Sequence, residues 1–183
     1  MLVLEISRGV RFSHTGISIA ESETIYNILN KTFHVEEDLE EDEEFLKNEN
    51  VTGGVKIDFP LPFCEQFFEL FTEGWFNMKH VLKDMKRRRG KRALTVLIYF
   101  DGLIQNEKIL HFDLVFQLIN KDQKEFEMAI EKIEYLVDTI VLELSETMNK
   151  TSLLIYTYDP LRRKWIKGSD YGDVSKKETN RGM

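Results

Sequence analysis

At 183 residues, 42% of them hydrophobic and 13 of them phenylalanine, the chain has enough apolar surface for one sizeable core, which excludes wholesale disorder and argues for a single domain. The net charge of −7 is local: the nine residues Glu36 to Glu44 (EEDLEEDEE) hold eight carboxylates, and the remainder is close to neutral, unlike a dedicated nucleic-acid binder. No apolar run approaches the ~20 residues that span a bilayer, and the single Cys64 cannot form an internal disulfide, so a cytoplasmic location is expected.

Met1 to Ala20 reads as two short strands joined at Ser7-Arg8-Gly9, the first too polar at Glu5 to be a signal peptide. Ser22 as N-cap, Glu23 in the first turn, and Ile25, Ile28, Leu29 and Phe33 at helical spacing predict a short helix. The acidic tract repels itself and has little apolar surface to offset its ordering entropy, so a mobile loop is expected over 35–50. Val55, Ile57 and Phe59 alternate with Lys56 and Asp58, which predicts a strand stopped by Pro60 and Pro62.

Pro62 suits the first turn of a helix, and Cys64, Phe67, Phe68, Phe71, Trp75, Met78, Leu82 and Met85 then fall on one face. Cys64 on that stripe reads as an inert core thiol. Gly74, near its edge, suggests close approach by a neighbour or a kink. Gly90 closes the helix. Leu94 to Phe100 is apolar throughout, as a central strand requires, and Asp101-Gly102 and Gln105 to Lys108 are both turn signals before a second strand alternating Leu110, Phe112, Leu114, Phe116 and Leu118 with polar positions. A long helix follows from about Asp122 to Met148, its stripe running from Phe126 through Ala129, Ile130, Ile133, Leu136 and Val137 to Met148. Thr151 to Tyr158 reads as the last strand and 161–183 as a polar tail. The expected class is α+β: a mainly antiparallel sheet with two long helices and one short one on one face, forming a single domain over 1–160, without an internal sequence repeat.

Familiar phosphate, metal and nucleophile motifs are missing, so no cofactor or metal is expected and chemistry must rest on scattered residues. His111 and Asp113, two apart on a strand, share a face, and a carboxylate beside an imidazole can orient a general base; Asp101 is a third candidate. A solvated strand face produces the same pattern. The basic run is better populated. Phe76, His80, Lys83 and Arg87 form a ridge away from the helix core, and Arg88, Arg89, Lys91 and Arg92 continue it, a stacking ring followed by cations that suits a polyanion or an acidic protein partner. A solvated helix C-terminus, where cations oppose the macrodipole, is the plainer reading. Met128, Tyr135 and Leu142, seven apart and opposite the core stripe of the last long helix, suit a dimer contact about a two-fold axis. Together these features suggest a homodimeric interaction or regulatory module without catalytic activity. The rivals are a nucleic-acid or polyanion binder using the ridge over 76–92 and a small-molecule enzyme using His111 and Asp113.

Overall fold

A computed structural model describes residues 9–38, 51–59, 65–105, 108–120, 122–147 and 153–168. The first strand, β1 (Val10–Thr15), leads into helix α1 (Ile19–Asn30), which starts three residues before the expected cap, Ser22. The cap is Ser18: its hydroxyl accepts from the Glu21 N–H at 3.2 Å while the Glu21 carboxylate accepts from the Ser18 N–H at 2.9 Å. Ser18-Ile19-Ala20-Glu21 has the serine-to-glutamate spacing of a capping box, which Ser22 lacks; the Ser22 hydroxyl instead donates to the Ile19 carbonyl inside the helix.

Val35, buried beside Val10, anchors β2 (Val35–Asp38), a parallel neighbour of β1, so the start of the expected loop is an edge strand. The rest of the acidic tract, the first strand expected at the N-terminus together with Ser7 and Arg8 of the turn after it, and Pro60, Pro62 and Cys64 lie outside the described residues. The expected alternation appears in β3 (Val51–Phe59), and the long amphipathic pattern in α2 (Glu65–Arg89). Phe71, Trp75, Met78, Leu82 and Met85 are buried along α2 as expected, whereas the side chains of Phe67 and Phe68 are not among those described. A Cβ on Gly74 would meet nothing within 4 Å, so no neighbour approaches it closely. Gly90 does carry the positive φ, +57°, that ends a helix.

The next two strands, β4 (Ala93–Gln105) and β5 (Lys108–Asn120), are longer than the hydrophobic runs suggested. Pairing continues past Asp101-Gly102 to Gln105 opposite Lys108, with a register shift between Asp101 and Leu103. Helix α3 (Gln123–Thr147) follows, capped by Asp122, whose carboxylate accepts from the Glu125 N–H at 2.9 Å. Two strands complete the sheet: β6 (Leu153–Asp159) and β7 (Lys164–Lys167).

The class is α+β, and its sheet is mixed instead of mainly antiparallel. Strand order is β2-β1-β3-β4-β5-β6-β7, with parallel pairs β1/β2, β3/β4 and β5/β6 alternating with antiparallel ones. Each parallel pair is bridged by a helix, because parallel neighbours need a long crossover that a hairpin turn cannot supply. The three strand-helix-strand units have no matching sequence repeat. With all three helices on one face, the alternating strand directions give the β5–α3–β6 crossover the opposite hand to the other two, so the three cannot all follow the usual right-handed rule.

Phe12, Ile57, Ile98, Phe116 and Tyr156 align across the sheet beneath the helices. Rings join them laterally: Phe33 meets Phe59 edge-on, Phe59 stacks on Phe100 at 5.3 Å, Phe100 meets Phe116, and Phe116 touches both Tyr156 and Trp165. Such pairs contribute about 0.5–1.5 kcal/mol each beyond the area they bury. Trp165 also donates its indole N–H to the Ala129 carbonyl at 3.1 Å, tying β7 to α3. The stretch expected to begin a polar tail therefore closes one end of the core; residues beyond 168 lie outside those described.

Candidate functional site

The basic run lies on the central helix of the layer, and helical geometry splits it. Successive residues turn by about 100°, so neighbouring cations leave α2 on different flanks. On one flank Lys79 reaches Glu131 at 2.9 Å and Glu134 at 3.5 Å, Lys83 also pairs with Glu131, and Arg87 reaches Glu127 at 3.1 Å. The order of these pairs shows that α2 and α3 run antiparallel. On the other flank Arg88 and Arg89 converge on Glu21 at 3.1 and 3.0 Å.

Glu21 is the most strongly engaged carboxylate. Burial alone would raise its pKa, but hydrogen bonds from Arg89, the Ser18 N–H and Arg88, with the Arg89 charge, outweigh that and hold it at about 2. Arg89 is 9% exposed at its side chain and also donates to the Met85 and Gly16 carbonyls. Its guanidinium occupies the space above Gly53: a Cβ there would come within 2.9 Å of Nε. That is why glycine stands at this point of β3.

Lys86, which falls within the basic run, is fully buried and donates to the Gly90 carbonyl at 2.6 Å. Desolvation lowers its pKa, opposed by the charge of Asp122. Its ammonium thus satisfies a carbonyl at the negative end of α2 while lying near the cap of α3. Burial likewise lowers the pKa of Lys83, and Glu127 is lowered chiefly by a hydrogen bond from Gln123. Lys91 and Arg92, past the helix end, have no carboxylate partner among the described residues.

The aromatic members of the ridge stay outward. Phe76 and His80 meet edge-on at 5.2 Å, with the Lys79 ammonium 5.4 Å from the Phe76 ring, and Phe76 is 58% exposed. On α3 Tyr135 is 71% exposed and Met128 half-buried, while the Leu142 side chain is not among those described. Glu134 pairs with Lys79, so the register sets Tyr135 near the level of Phe76 along the helix pair.

The His111 and Asp113 side chains also lie outside the described residues. Along the backbone, Asp113 pairs with Asp101 on β4 and Leu153 on β6, and His111 falls where the β4–β5 register shifts. A groove of about 420 Å³ opens between α1 and α2 beside Thr24, Val81, Asp84 and Arg88. Its polar groups are already engaged: Thr24 donates to Ala20, Asp84 holds Arg87 and Arg88 holds Glu21. No helix among the described residues is long and apolar enough to cross a membrane.

Sequence reasoning missed the partners of the basic ridge, and the signal was present. Glu127, Glu131 and Glu134 recur at helical spacing on α3, complementary to Lys79, Lys83 and Arg87 on α2. Comparisons with protein-family models, curated proteins and solved structures found no match.

Proposed function

We propose that the protein is a cytoplasmic interaction module without catalytic activity, and that it docks a second copy of itself through the outward face of the α2–α3 pair. The carrying observation is the exposure of two large rings, Phe76 and Tyr135, on adjacent helices whose facing flanks are tied together by ion pairs. Large aromatic residues dominate interface energetics because they bury much area at low entropic cost, so two exposed at a similar level on adjacent helices form the natural centre of a contact. Met128 lies two turns from Tyr135 on the same side of α3 and extends that patch.

The polyanion reading has less support. Lys79, Lys83, Arg87, Arg88 and Arg89 all face carboxylates of the same chain, which leaves Lys91 and Arg92 as the cations most open to phosphate. Replacing Phe76 and Tyr135 by Glu tests the docking face, since neither belongs to the core. The expected result by light scattering in molar salt is a folded monomer where the wild type is dimeric; a wild type that is monomeric there at tens of micromolar would remove the reading.

A further inference from the structure

The two ends of the seven-stranded sheet carry opposite charge. At one end β2 consists of Val35, Glu36, Glu37 and Asp38; at the other β7 is Lys164, Trp165, Ile166 and Lys167. Among the described residues β2 pairs with β1 alone and β7 with β6 alone, so each leaves one row of backbone N–H and C=O groups without a strand partner. Glu37 holds His14 at 3.1 Å, whereas Glu36, Lys164 and Lys167 have no ion-pair partner among the described residues.

Open edges invite pairing, and short, charged edge strands are how proteins restrain it. Like charge discourages β2 from meeting β2 and β7 from meeting β7. It does nothing against β2 meeting β7. We infer that the chain associates head to tail, β7 of one copy adding in antiparallel fashion to β2 of the next, with the lysines of one edge facing the carboxylates of the other.

The directions already fit. β1, β2, β5 and β6 share one direction and β7 opposes it, so a copy shifted sideways presents its β2 antiparallel to β7. Register follows from the pleat. Val35 pairs with Val10 and Glu37 with Phe12, on the helical face, and Trp165 pairs with Tyr158 and Lys167 with Tyr156, also on that face. Keeping both helical layers on one side and using all four residues of each edge leaves one register: Lys164 across from Asp38, Trp165 from Glu37, Ile166 from Glu36 and Lys167 from Val35. Lys164 then also lies diagonal to Glu36, and Lys167 diagonal to Glu37, within reach for long side chains. The contact joins different surfaces of two copies, so it extends into an open chain unless the rotation between copies closes a ring. Four residues and exposed charges make a weak contact, dependent on concentration and salt.

The test is sedimentation velocity on the full chain, in the wild type and in a Phe76→Glu, Tyr135→Glu background, so that edge association is read apart from the helix-face contact proposed above. Mass should grow with concentration at low salt in both, and the growth should vanish in molar salt. Lys164→Glu with Lys167→Glu makes both edges acidic, and Glu36→Lys with Glu37→Lys makes both edges basic; each variant alone should lose the growth, and an equimolar mixture should regain it. Glu36→Lys alone, at an exposed side chain, serves if loss of the His14 contact compromises the double variant. A background protein that sediments as one species at every concentration, or a mixture that behaves as its separate components, overturns the inference.

Discussion

Two residues on β3 and α1 illustrate how single atoms set this structure. Gly53 leaves the space that the Arg89 guanidinium fills, and a Cβ there would also come 3.1 Å from the Gly16 carbonyl, a backbone atom that cannot swing away. Gly53→Ala is expected to cost about 1–3 kcal/mol by overpacking, measurable by chemical denaturation. Glu21 makes the complementary case in electrostatics. Its carboxyl titrates at about 2 in the fold against an ordinary 4.5, so its contribution is fully present above pH 4.5 and drains away as pH falls toward 2. That contribution is on the order of 3 kcal/mol. Glu21→Gln should therefore lower the melting temperature at neutral pH, with the gap to the wild type narrowing as pH drops through that window. A gap independent of pH would mean that Glu21 acts through packing and capping instead of charge.

At the scale of elements, the α2–α3 pair is a zipper whose strength depends on burial. Lys79 is nearly buried beside Glu131 and Glu134, whereas Arg87, 64% exposed, meets Glu127 in solvent. A double-mutant cycle should give about 1 kcal/mol of coupling for Lys79–Glu131 and a few tenths for Arg87–Glu127. β7 offers a sharper test. Trp165 packs on Phe116 and Tyr158 and bonds to α3, so Trp165→Ala should cost about 3–5 kcal/mol in a denaturation experiment, where a residue of a polar tail would cost nothing. Elements with strong hydrophobic periodicity were legible in the sequence: β3, α2, the first half of α3 and the central strands all lie where their patterns put them. The failures share a cause. β2 and β7 are four residues long, carry two or more charges each, and form because their neighbours offer ladder partners, which a local pattern does not record. The parallel pairing arises the same way, since a strand's own sequence does not say which neighbour the crossover helix will bring. At the candidate site, the outward position of Phe76 and His80 was readable from helical spacing. The neutralisation of the ridge was not, because it depends on which helices pack on either side of α2.

For the whole molecule, the charge segregation seen in the sequence resolves into internal neutralisation on the helical layer and opposite poles at the ends of the sheet. Glu127 and Glu131 hold Lys83 and Arg87, so replacing both carboxylates by Gln should release those cations and raise affinity for heparin at low salt, with the gain lost as salt rises. Unchanged, negligible binding would show that these cations are unavailable to polyanions even without their partners on α3. The central claim is that the protein works by docking through Phe76 and Tyr135 on the outward face of α2 and α3. The most direct measurement is the solution mass of the full chain by sedimentation equilibrium in molar salt, where edge pairing between sheets is suppressed and an apolar helix-face contact is not. A dimer for the wild type and a folded monomer for Phe76→Glu with Tyr135→Glu is the predicted result; a monomeric wild type, or a dimer unaffected by the two substitutions, would contradict it.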